Sequence, residues 1–136
     1  MNAFRSPYVP LSLAALFLAL SISGRATESV DVAGQKERTV SALEEDVKRD
    51  PTNSELWVHL GFAYRKAGQI NDAQKAFEKV TLLNPQSREA YSMLGLIYES
   101  KHMTPEAKKA WEQYLATETD AEKRAIAQKH IHHLSQ

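Results

Sequence analysis

Between Trp57 and Pro85 the chain reads WVHLGFAYRKAGQINDAQKAFEKVTLLNP, and slid forward until Trp57 lies on Tyr91 this stretch meets itself. In that one register Leu60 falls on Leu94, Gly61 on Gly95, Tyr64 on Tyr98, Ala73 on Ala107 and Phe77 on Trp111. A fixed period of this length means one supersecondary unit used more than once, each copy leaving an apolar face that only a neighbouring copy covers.

The unit is a pair of helices. Trp57, Leu60, Gly61 and Tyr64 are spaced i, i+3, i+4, i+7, one stripe of a helix, and Ile70, Ala73, Phe77 and Val80 mark a second. Gly68 between them suits the left-handed residue that ends a helix. Asn84-Pro85 stops the second helix, since Pro lacks an N–H and disfavours helix just before it. Asn53 and Ser87, again one period apart, are candidate N-caps. Gly61, Gly95, Ala73 and Ala107 are small where two helix backbones must come close, with aromatics filling the space beside them.

The aromatic, Leu-Gly, Tyr, Ala, aromatic, Pro pattern at this period resembles the tetratricopeptide repeat family over residues 54–121. The resemblance implies an all-α fold, a short right-handed α-solenoid of two helical hairpins flanked by an N-terminal and a C-terminal capping helix. The second copy departs from the pattern in three places. His102 stands for Gly68, Tyr114 for the position of Val80, and Thr119 for the closing Pro, leaving that boundary to Thr119 or Asp120 as a cap. Thr104-Pro105-Glu106 reads as a cap, a first-turn Pro and an early acid that start the second helix of that copy.

The expected organisation is a signal peptide over 1–26, a flexible tail over 27–34 and a capping half-repeat over 35–50. The two repeats follow at 54–87 and 88–121, and a closing helix at 122–136. Arg5, the apolar run Leu11–Ile22 and the small residues after it have the three-part anatomy of an export signal, with cleavage before Gly24 or before Thr27. The competing reading is an uncleaved anchor, for which this run is short against the roughly 20 apolar residues a span needs. Losing residues 1–26 removes two bases, Arg5 and Arg25, and no acid, so the mature charge is −2. Val40, Leu43 and Val47 give the half-repeat its apolar side, and Pro51 lies one period before Pro85. Ala121, Ala125, Ile126 and Leu134 are the candidate apolar positions of the last helix.

Composition excludes several functions. Lys plus Arg equals Asp plus Glu at 17 each, so no net field draws nucleic acid, and Arg65-Lys66 is too small a basic patch to do so locally. There is no Cys, hence no disulfide, thiol nucleophile, thiolate metal site or lipidated Cys. No nucleophile elbow, phosphate loop or zinc-binding helix motif is present, and acid pairs such as Glu44-Glu45 fall on solvent faces. The chain reads as a non-enzyme without a cofactor. The tail His130-Ile131-His132-His133 is the one metal-like cluster. Without a carboxylate or thiolate partner it reads as a solvated patch, with weak metal binding as the alternative.

The resemblance also implies a concave groove lined by each first helix. Its positions here are Glu55, Val58, Phe62, Arg65 and Lys66, then Glu89, Ser92, Leu96, Glu99 and Ser100, and from the closing helix Lys123, Ile126, His130 and His133. Val58, Phe62, Leu96 and Ile126 form an apolar floor suited to an apolar or amphipathic peptide, with Phe62 as the central anchor. On the other reading Phe62 and Leu96 simply pack on neighbouring helices. Family members that bind chaperone C-terminal carboxylates do so through Lys and Asn at positions that here hold Val58, Phe62 and Met93, so that clamp is missing. The partner expected is a protein or peptide. Signal and composition resemble small bacterial periplasmic repeat proteins that scaffold envelope assemblies or help cytochrome maturation. Secretion or inner-membrane anchoring are the alternatives in location, and end-to-end homo-oligomerisation the alternative in function.

Overall fold

A computed structural model describes residues 38–136. The signal, the tail and the first residues of the capping segment lie outside them. Six helices follow one another: α1 (Val40–Arg49), α2 (Ser54–Lys66), α3 (Ile70–Leu83), α4 (Arg88–Ser100), α5 (Thr104–Thr117) and α6 (Ala121–His133), with no strand among the described residues. α2 pairs with α3 and α4 with α5 as hairpins, and each hairpin packs on the next element in sequence, giving an all-α solenoid.

The two kinds of helix start by different means. Asn53 Oδ1 accepts from the Glu55 and Leu56 amides at 3.1 and 3.4 Å, and Ser87 Oγ from the Ala90 amide at 3.3 Å, so α2 and α4 are capped by side chains. Thr39 and Asp120 do the same for α1 and α6. α3 and α5 have no side-chain cap. Their starts are fixed by the turn before them. Gly68 at φ 75° and His102 at φ 57° take the left-handed conformation. In each turn the next two amides fold back in a Schellman pair: Gly68 and Gln69 onto Arg65 and Tyr64, His102 and Met103 onto Glu99 and Tyr98. The expectation that Thr104 caps α5 is therefore corrected. Thr104 is its first helical residue and Met103 occupies the cap position, because the turn geometry already places it there.

Helix pairs close most tightly at the two glycines. A Cβ on Gly61 would stand 2.8 Å from Phe77 Cζ, and one on Gly95 2.6 Å from Trp111 Cε2. Phe77, Ala73, Val80, Ala90, Leu94, Ile97 and Ala110 make one buried cluster across both hairpins, and Leu43, Val47 and Leu60 a second under α1.

The last helix is rotated from its expected setting. Ala121, Ala125 and Ile126 are exposed, whereas Ala127 is fully buried and Ile131 and Leu134 half-buried. Ala127, Ile131 and Leu134, spaced i, i+4, i+7, form the inward side instead, and Arg124 and His130 beside them reach α5 and α4.

Candidate functional site

The first helices α2, α4 and α6 are linked to one another by side chains. Arg65 Nη1 reaches Met93 Sδ at 3.1 Å, tying α2 to α4. His130 Nδ1 meets Glu99 Oε1 at 2.8 Å, tying α4 to α6. These bridges bring the proposed groove positions of neighbouring helices side by side.

Along α2, Glu55, Arg65 and Lys66 are exposed and Val58 and Phe62 half-buried. Phe62 meets Phe77 edge-on, centroids 5.3 Å apart at 80°, so most of its ring belongs to the hairpin core. Along α4, Glu89 and Ser100 are exposed, Ser92 is half-buried with its hydroxyl donated to the Glu89 carbonyl, and Leu96 is 40% exposed. On α6, Lys123 and His133 are exposed and Ile126 is 53% exposed. Leu96 lies three residues before Glu99 and Ile126 four before His130. Helical spacing therefore sets both one turn back from the bridged pair, on adjoining sides of α4 and α6.

Glu99 and His130 are not open lining. Glu99 Oε1 accepts from Trp111 Nε1 at 2.6 Å as well as meeting His130, whose ring stacks on Trp111 at 4.3 Å and 16°. His130 is thereby drawn out of the terminal histidine cluster, and His132 contacts Gln136. Among the described residues no three His, Asp or Glu side chains converge as a metal site would require.

Other polar groups, silent in the sequence pattern, hold the junctions. Trp57 Nε1 donates to the Pro51 carbonyl at 2.9 Å and Tyr91 Oη to that of Pro85 at 3.1 Å, the same bond one repeat on. Glu118 is buried. Its carboxylate accepts from the Thr119 and Asp120 amides, the Tyr114 hydroxyl and Arg88. The Asp120 amide foremost, then Tyr114, Thr119 and Arg88, hold its pKa at about 2 against the upward push of burial. It thus closes the second repeat where Pro is missing. Asn84, at the equivalent place in the first repeat, accepts from the Gln86 amide in the same way, a correspondence visible in the sequence only once the cap is known.

The family model described as "Tetratricopeptide repeat" matches residues 33–97. The matched stretch takes in α1, α2, α3 and most of α4, and over it the chain is similar to tetratricopeptide repeat proteins. Among solved structures this array is similar to the first tetratricopeptide domain of Spaghetti (RPAP3) bound to the HSP90 peptide SRMEEVD. The identity is 24% over 71% of this chain and 76% of that one, with a TM-score of 0.59, a likeness of fold. No curated protein matches the sequence. In the helical array Trp57, Leu60, Gly61 and Tyr64 face α1 and α3, while Leu94, Gly95 and Tyr98 face α3 and α5 and Tyr91 reaches the Pro85 carbonyl. Ala73 and Ala107 are fully buried at the hairpin contacts, and Pro85 is exposed in the turn.

Proposed function

We propose that this chain is a non-enzymatic interaction module whose face of first helices holds a protein or peptide partner outside the cytoplasm. The observation that carries the reading is that Leu96 and Ile126, large apolar side chains on two of the first helices, are left exposed, each one turn before the bridged pair Glu99 and His130. Exposed apolar side chains with exposed Glu89 and Lys123 on the same helices suit an amphipathic segment. The RPAP3 domain takes an HSP90 peptide. Here the positions for a carboxylate clamp hold Val58, Phe62 and Met93, all half-buried against the core, which favours apolar over carboxylate recognition. Export to the periplasm is the reading supported by Arg5, the apolar run Leu11–Ile22 and the small residues after it.

Self-assembly end to end has less support. Arg38, Asp46 and Arg49 pair along α1. On α6 the positions corresponding to Trp57, Leu60, Gly61 and Tyr64 are the exposed Ala125, Gln128, Lys129 and His132. Among the described residues, neither α1 nor α6 offers an outward apolar stripe of the kind by which repeats stack.

The test is affinity capture from the native cell envelope with the natural protein and with Leu96→Glu, Ile126→Glu. Both residues are exposed, so circular dichroism should show the variant folded. A partner held by the first and lost by the second supports the reading. The same partners on both baits would remove the face of first helices from consideration.

A further inference from the structure

α6 is held unlike the other first helices. α4 buries Ala90, Leu94, Gly95 and Ile97, whereas α6 buries Ala127 alone. Polar anchors take the place of apolar ones. Arg124 Nη1 donates to the Glu118 carbonyl at 2.7 Å and to that of Leu115, occupying free acceptors at the end of α5. His130 lies flat on Trp111 and reaches Glu99, which also receives the indole N–H. Trp111 is only 4% exposed, covered by α4 at Gly95 and by the His130 ring.

With Ala127 buried and Ile131 and Leu134 only half-buried, α6 has a smaller hydrophobic restraint than α4. We propose that α6 is a latch: it detaches from the folded hairpins in a local opening of its own, and the His130 contact with Trp111 and Glu99 holds it shut. Opening bares an indole face with a carboxylate at its ring nitrogen. The inference is independent of whether Leu96 and Ile126 bind a partner.

Hydrogen–deuterium exchange of the full chain, read by peptide, tests it. Residues 121–133 should exchange at least about tenfold faster than those of α2 to α4, and His130→Ala should speed α6 by about tenfold more while leaving α2 to α4 unchanged. Alanine is a better helix former than histidine, so faster exchange cannot come from lost helix propensity. Lys129→Arg, an exposed site on the same helix with equal helix propensity, should change neither rate. The latch is overturned if α6 exchanges with α4 in natural protein, or if His130→Ala accelerates every helix together.

Discussion

Tyr64 donates its hydroxyl to Glu44 Oε1 at 2.7 Å across the α1–α2 junction, and in the next repeat Tyr98 makes the same bond to Glu78 at the same distance. The repetition shows what α1 is. Glu44 plays for α2 the part that Glu78 of α3 plays for α4, so α1 stands where the second helix of a preceding repeat would stand. The signature tyrosine therefore works twice over, as an apolar filler of the stripe and as a polar tie to the previous repeat.

These ties predict an alkaline weakness. Burial first, then the Glu44 bond and charge, push the Tyr64 hydroxyl from 10.0 up to about 12, and Tyr98 rises for the same reasons with Glu78 as partner. A phenol whose folded pKa is raised contributes stability that is whole below the unfolded value and is lost as pH climbs through the folded one. Stability should thus fall between pH 10 and 12, and the fall should flatten in Tyr64→Phe, Tyr98→Phe. Urea midpoints across that range would decide; parallel curves for natural and doubly substituted protein would sever the link.

Gly95 should not accept a methyl group. Glycine to alanine within a helix ordinarily gains about 1 kcal/mol, while forcing a group into a packed core costs about 1–3 kcal/mol. The indole that a Cβ would strike at 2.6 Å is pinned by Glu99 and His130 and cannot retreat, so the clash wins. Gly95→Ala should lower the melting temperature by several degrees, at about 4–8 °C per kcal/mol. A double-mutant cycle with Trp111→Leu should show strong non-additivity, the shorter side chain making room for the methyl.

At the turn of the second hairpin the opposite exchange should help. His102 holds φ 57°, a conformation that costs an ordinary residue about 1–2 kcal/mol and glycine none, against about 0.5–1 kcal/mol for glycine's extra freedom when unfolded. His102→Gly should stabilise the chain by about 0.5–1 kcal/mol in chemical denaturation. No gain would mean that the imidazole makes a compensating contact.

Glu118 sets the acid limit. Its pKa, held near 2 from an ordinary 4.5, gives stability that is present above the unfolded value and lost as pH falls from there through the folded one. Glu118→Gln should weaken the chain at neutral pH and flatten its stability profile between pH 4.5 and 2. If the profile keeps its slope, other carboxylates govern acid unfolding.

What the sequence made legible follows from the period. A stripe shared by Trp57 and Tyr91 or by Phe77 and Trp111 can be read because burial repeats with the backbone. The rotation of α6 could not be read from the period, since Ala125 and Lys129 hold its stripe positions and the inward set shifts to Ala127, Ile131 and Leu134. That setting is completed by Arg124 seeking carbonyls and His130 seeking Glu99, contacts that reach back into α5 and α4. Glu44 and Glu78 lay within reach of the same repeat-to-repeat comparison. They look like surface acids until the tyrosine hydroxyls opposite them are placed.

The same limit applies to the groove, where Phe62 and Leu96 occupy equivalent positions with different surroundings. Phe62 has an edge-on contact with Phe77 and is half-buried; Leu96 is 40% exposed. Phe62→Ala removes packed ring surface and should cost about 2–3 kcal/mol, below the roughly 3–5 kcal/mol typical of a fully buried phenylalanine. Leu96→Ala loses little packing and should stay within about 0.5 kcal/mol. Urea denaturation of both would separate structural from available positions. Equal losses would mean that Leu96 is also part of the core, and the binding role would then have to rest on Ile126 alone.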